Sequence, residues 1–253
     1  EQLVRLGEQK IQERWEGQIR TFYRPTINIK YELALRYQNL EIDQEVVTDY
    51  NPLYFSNGDS THSVFSLRLV YEYDDRDRKI FPATGIKFSA EAEKIGLTNS
   101  ADENTLITAL SVEWNATTGR RFQHRVSTTA KYSLSRSRPS FVYYKGLGSG
   151  VKYVSGYELY VIDGLDYVLG KYQLAYKLLE KQSNLGSFMP VDQFRQVTYA
   201  FYISLLAEVG YVNDPYSGGV NPLTNQWLYG GGPAFTLLMY NNFLFQFSYC
   251  TNH

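Results

Sequence analysis

The stretch INIKYELALRYQ, residues 27–38, decides how the chain is read. Ile27, Ile29, Tyr31, Leu33, Leu35 and Tyr37 occupy every second position, while Asn28, Lys30, Glu32, Arg36 and Gln38 fall between them. A period of two is that of a β-strand, whose side chains alternate between faces. One face is aliphatic and aromatic; the other carries full charges at mid-strand. In water the apolar face would need a second sheet to cover it. In a barrel set in lipid it needs no cover, and the charges point into a polar lumen.

The pattern repeats on both sides of this stretch. Before it, Trp15, Gly17, Ile19, Thr21 and Tyr23 alternate with Glu16, Gln18 and Arg20. After it come Phe65, Leu67, Leu69, Tyr71 and Tyr73 against Ser66, Arg68, Glu72 and Asp74, then Ile86, Phe88, Ala90 and Ala92 against Lys87, Ser89, Glu91 and Glu93. Further runs start near Leu106, Phe122, Val168, Val197 and Phe243. Residues 227–240 contain Gly230, Gly231, Gly232 and Pro233, which leaves the facing of that run open. The charged start, residues 1–14, reads as loop, because Gly7 interrupts it and no cap precedes it.

The count is about ten strands, many longer than the usual 5–6 residues of soluble sheets and matching the roughly 9–11 or more of tilted membrane strands. Connections near 24–26, 117–119 and 241–242 are short; those near 43–61, 134–166 and 212–226 are long. Outer-membrane barrels have short periplasmic turns and long extracellular loops. The fold class expected is therefore all-β, a transmembrane antiparallel β-barrel.

Composition narrows the function classes. Lys and Arg number 25 against 26 Asp and Glu, a net charge of -1, so there is no basic balance pointing to nucleic acid. Aromatic residues make up 16 %, with 23 tyrosines, a residue favoured in strands and at membrane interfaces. Cys250 is the single cysteine, which excludes an intrachain disulfide and a cysteine zinc set. His62, His124 and His253 have no metal-ligand spacing, and no Ser-His-acid arrangement can be argued from them. The expectation is no enzyme, no cofactor and no metal.

Residues 146–172, GLGSGVKYVSGYELYVIDGLDYVLGKY, are too long and too glycine-rich for a hairpin turn. Tyr153, Tyr157, Tyr160, Val161 and Ile162 make this stretch too apolar for simple disorder. It reads as an ordered loop that folds back into the lumen, with Arg125, Lys131, Lys171 and Glu208 as polar partners on the wall.

Several of these stretches resemble motifs of one family. DDRDRKIFPATG, residues 74–85, is similar to the strand-turn-strand element of the BamA/TamA-type outer-membrane assembly-factor superfamily, the surface-antigen barrels, including the TAM-like and patatin-fused branches. Its motif positions are Asp75, Arg76, Asp77, Phe81, Pro82 and Gly85. VSGYE, formed by Val154, Ser155, Gly156, Tyr157 and Glu158, resembles the family's V-R-G-Y/F loop motif; LLAEVGYV resembles its F-x-D-x-G strand; YGGGPAF resembles its glycine-rich strand near the C-terminus. Two positions depart: Ser155 replaces the motif arginine, and Glu208 replaces the strand aspartate. The family's arginine–acid lumen contact cannot form as such.

The resemblance implies a portion of a sixteen-stranded barrel, with residues 1–253 as one outer-membrane barrel domain incomplete at both ends and a lumen loop at about 134–166. It implies location in the bacterial outer membrane, with outer-membrane lipid, client outer-membrane proteins and accessory periplasmic or lipoprotein subunits as partners. The function implied is non-covalent help in insertion or translocation of other proteins or lipids. A passive channel or receptor, or the membrane anchor of an upstream patatin-like hydrolase, are the alternatives.

Overall fold

The computed structural model describes residues 2–6, 9–97, 103–148, 150–184, 186, 191, 195–216 and 221–252. Gly7 and His253 lie outside the described residues. The strands are β1 (Gln2–Leu6), β2 (Gln9–Tyr23), β3 (Ile29–Ile42), β4 (Thr61–Asp74), β5 (Gly85–Ile95), β6 (Thr105–Thr118), β7 (Phe122–Ser133), β8 (Lys145–Leu147), β9 (Ile162–Asp163), β10 (Asp166–Asn184), β11 (Gln196–Asn213), β12 (Trp227–Met239), β13 (Phe243–Ser248) and β14 (Thr251–Asn252). They form one antiparallel meander in the order β1-β2-β3-β4-β5-β6-β7-β10-β11-β12-β13, with β14 also on β12, and a separate ribbon, β8-β9. The large sheet does not close: among the described residues β1 and β13 are its two end strands.

Two features differ from the sequence reading. Residues 2–6 and 9–14 are not loop but the β1–β2 pair, Gln2 opposite Arg14 and Leu6 opposite Gln9. Residues 15–23 of β2 lie beyond the reach of β1 and form the edge of the sheet on that side. A five-residue strand with Leu3 and Val4 adjacent and a register shift after Val4 has no clean period of two, so alternation could not reveal it. On β10 the ladder shifts between Lys177 and Leu179, a bulge that breaks the alternation expected to run through Leu178.

The apolar face lies bare. Leu33 is 49 % exposed, Leu69 52 %, Ile203 51 % and Leu205 57 %. Soluble proteins rarely leave such a row of large aliphatics uncovered, whereas a wall facing lipid requires it. Tyr31, Leu35 and Phe65 stand on this face, as do Tyr199 and Phe201, whose ring stacks on Phe235 with centroids 5.7 Å apart. The opposite face carries paired charges: Lys30 with Glu72, Arg36 with Glu93, and Arg68 with both Glu91 and Glu32.

The charged face is the concave one. Phe81, in the connection between β4 and β5, packs on Tyr202 of β11 with ring centroids 4.8 Å apart. Along a flat sheet β5 and β11 would be four strand spacings apart, about 19 Å. The sheet curls to bring them together, and the long loop 134–165 fills the same hollow. On β12 the glycine run resolves its facing: Leu228, Ala234 and Leu238 are buried inside, while Trp227, Tyr229 and Phe235 are exposed.

Candidate functional site: the lumen loop and its seat

The chain between β7 and β10 crosses the charged face. Lys131 on β7 fixes its two roots, its ammonium donating to the carbonyls of Lys145 (2.5 Å) and Gly164 (3.2 Å). The β8-β9 ribbon joins these roots, Lys145 opposite Asp163 and Leu147 opposite Ile162. Leu147, Val154, Tyr157 and Ile162 then pack on Tyr167, Leu169, Val212 and Leu228 of the wall in one buried cluster. The fold-back is partial. Leu159 is 95 % exposed, and Tyr160, Val161 and Val151 are also exposed, because the tip and the roots take up the apolar wall available between β10 and β12.

The tip is held by main chain. The amide of Ser155 donates to Glu208 Oε2 at 2.7 Å, and Lys171 Nζ lies 3.2 Å from the same oxygen. Lys171 also sits over the Tyr153 ring, 4.7 Å from its centroid. Glu208 therefore meets a cation from the wall and a peptide donor from the loop. A carboxylate accepting both is the charge-assisted arrangement. The Ser155 hydroxyl is not the donor. Glu158 accepts the Gly156 amide at 2.9 Å, closing the turn of the tip.

Glycines make the seat. A β-carbon on Gly230 of β12 would lie 1.9 Å from the Ser155 carbonyl oxygen. Gly156 has φ +90, and a β-carbon there would lie 2.8 Å from the Asn252 side chain and 3.0 Å from its amide. The tip thus lies flat on the backbone of β12 and β14. Gly230 and Asn252 escaped the sequence reading; the only signal was a glycine run inside a strand, which often marks a close backbone approach.

Arg125 belongs elsewhere. It donates to Asn115 Oδ1 at 3.2 Å and stands over the Phe81 ring, 5.1 Å from its centroid. It serves the β4–β5 turn, where each motif position has a physical reason. Asp75 Oδ1 accepts the Ile86 amide. Arg76 grips Asp74 with two bonds of 2.8 Å and Glu113 of β6 with two of 3.1 Å. Asp77 Oδ1 accepts the amides of Ala83 and Thr84 at 2.9 and 3.2 Å. Gly85 has φ +107, and a β-carbon there would lie 2.6 Å from the Arg76 α-carbon. Between them KIFP, with Phe81 at φ +50 and Pro82 buried after it, drops Phe81 onto Ala175, Ala200, Tyr202 and Leu238. Arg78 bonds Asn241 across the hollow at 3.0 Å.

The loop tip and two wall partners of the turn, Glu113 and Arg125, border one polar cavity of about 310 Å³, together with Tyr153, Lys171 and Glu208. Among the described residues no group of three His, Cys, Asp or Glu could hold a metal ion. No helix is long and apolar enough to cross a membrane, which says nothing of crossing by strands.

These features define a β-barrel wall of the membrane-spanning type, its hollow occupied by one long loop and one structured turn. The same fold is found in the crystal structure of BamA from Haemophilus ducreyi lacking POTRA domains 1-3, with a TM-score of 0.69 and 13 % sequence identity over 96 % of this chain and 51 % of that one. The chain has the BamA barrel fold, as the turn and loop motifs implied, and spans about half the length of that structure. No family model matches the chain, and no curated protein matches it in sequence.

Proposed function

We propose that residues 1–253 are the barrel domain of a bacterial outer-membrane assembly factor, which helps other outer-membrane proteins insert, or moves proteins or lipids, without covalent chemistry. The observation that carries this reading is the double filling of the hollow. Phe81 and its turn occupy the short-turn end, and the Ser155 tip lies on β12 and β14 toward the other. A passive channel keeps its lumen free for solute, whereas here both elements are tied by charge-assisted bonds and aromatic packing. Outer-membrane lipid and client outer-membrane proteins are the partners, with periplasmic or lipoprotein subunits as accessories. The loop residues 154–158 with Glu208, Lys171 and Lys131, and the turn residues Asp75, Arg76, Asp77, Phe81, Pro82 and Gly85 with Arg125, are its working parts.

The test is the folding rate of an unfolded client barrel into liposomes holding the protein. Acceleration over empty liposomes, lost when residues 150–160 are replaced by a short Gly-Ser linker, is the expected result. High conductance with no effect on client folding would favour the channel. Release of fatty acid from the same liposomes would favour the patatin-linked alternative.

A further inference from the structure

The geometry points to a binding site for the headgroup of an anionic phospholipid on the outer surface at the β6–β7 turn, made by Arg120 and Arg121 above a shelf of Phe122, Tyr176 and Tyr172. The inference rests on the membrane-wall reading and goes beyond it.

Three observations meet at this turn. The first is level. On the outward face, Tyr23, Tyr31, Tyr71 and Phe88 form a ladder of ring contacts near the short-turn end, with successive centroids 6.1, 5.3 and 6.0 Å apart. Phe122 and Tyr176 continue it across β7 and β10 at 5.0 Å. Tyrosine belts lie at the headgroup level of a bilayer. The residues of the β6–β7 turn therefore emerge where lipid phosphates are.

The second is charge. Arg120 and Arg121 are exposed, and no carboxylate among the described residues forms an ion pair with either. On the lumen face Lys30, Arg36, Arg68, Arg76 and Lys171 all have acids. On the adjacent strand, Lys177 and Glu180 neutralise each other, and Lys181 adds a further exposed cation. An uncompensated pair of guanidiniums at headgroup level attracts an anionic surface.

The third is preorganisation. Arg121 donates to the Tyr176 hydroxyl at 2.8 Å and stands 5.8 Å from the centre of that ring. His124 is held between Thr118 and the Tyr172 hydroxyl, at 3.1 and 3.0 Å, which fixes the Tyr172 ring beside it. The guanidinium is thus tethered with donors to spare, a fork suited to phosphate oxygens. The rings below offer apolar surface to the first acyl carbons.

Tryptophan placement supplies the probe. Trp114 lies on the outward face of β6, opposite Val126 and four residues before Thr118, whereas Trp15 and Trp227 stand toward the long-loop end. In a Trp15→Phe, Trp227→Phe background, Trp114 reports this site alone. The protein is extracted in detergent, returned to bilayers, and titrated with phosphatidylglycerol or phosphatidylcholine brominated near the headgroup. We expect phosphatidylglycerol to quench Trp114 at lower mole fraction. The preference should fall about 5-fold with Arg121→Gln and about 25-fold with Arg120→Gln and Arg121→Gln together. Arg121→Lys should keep most of it. Equal quenching by the two lipids, or an unchanged preference in the double variant, overturns the site. So does loss of the preference on adding inorganic phosphate, which would mark a site for a free anion. Quenching by neither lipid would show that Trp114 does not face a bilayer, and the membrane-wall reading would fall as well.

Discussion

Ser155 and Gly230 touch backbone to backbone: the Ser155 carbonyl oxygen occupies a point 1.9 Å from where a β-carbon on Gly230 would be. The loop tip can rest on β12 only because that strand has no side chain at this position. Gly230→Ala should lift the tip off the wall. Overpacking of this kind costs about 1–3 kcal/mol. Limited proteolysis of the loop reads it: cleavage between residues 150 and 160 should rise in Gly230→Ala and stay unchanged in Gly17→Ala, whose added β-carbon would meet nothing within 4 Å.

The bond from the Ser155 amide to Glu208 makes the serine hydroxyl dispensable. Ser155→Ala should be nearly silent in protease protection and in client folding. Ser155→Pro removes the donor and should not be. Tyr157 is 7 % exposed within the apolar cluster, so Tyr157→Ala should destabilise the docked loop by about 3 kcal/mol. Equal damage from Ser155→Ala and Tyr157→Ala would show that the hydroxyl, not the main chain, anchors the tip.

Phe81 closes the short-turn end by packing on Ala175, Ala200, Tyr202 and Leu238. Phe81→Ala should open a leak measurable as increased single-channel conductance in planar bilayers. Phe81→Gly relaxes the left-handed backbone at this position and should leak as much, because the packing is lost in both. If neither variant conducted more than the parent, the turn would not be the closure.

Asp163, at the root of the loop, has its carboxyl pushed above the ordinary range by burial, with Lys145 and Lys131 opposing the shift and Asp214 adding to it. A folded-state value above the unfolded one means that the docked loop prefers the protonated form. That contribution is fully present below the unfolded carboxylate value, about 3.9, and is lost as pH rises through the higher folded value. Hydrogen exchange of the β8-β9 amides, corrected for intrinsic rate, should therefore show less protection at neutral pH than in acid. Asp163→Asn should flatten the dependence and raise protection at neutral pH. An unchanged pH profile in the variant would remove Asp163 as its source.

Much of the wall was legible because its two faces differ so sharply. Alternation at Ile29–Tyr37 or Phe65–Tyr73 reports both strand and facing, since lipid and lumen select opposite chemistries. Lys171 and Glu208 were both readable as inward groups, and the ladder sets them opposite each other as a pair. What could not be read were relations made by absence and by distance. Gly230 has no side chain to leave a period, and its seat for Ser155 exists only once the loop has crossed the hollow. Phe81 sits in an irregular turn, and nothing near it in sequence names Tyr202 as its partner. Arg125 alternates inward like its neighbours; that it serves Phe81 and not the loop tip depends on how far the sheet curls.

The Phe81 turn also has a consequence for the order of assembly. Its hairpin strands β4 and β5 are neighbours in sequence and can zip within microseconds. The surface it closes on belongs to β10, β11 and β12, and the Arg78–Asn241 bond spans 163 residues. Contacts this distant form late, after the intervening chain has been ordered. While the first strands register, the turn has nothing beneath it and Phe81 stands in solvent. The short-turn mouth therefore stays open until β10 and β11 have registered, so a chain stalled before β10 would carry a formed wall with no closure.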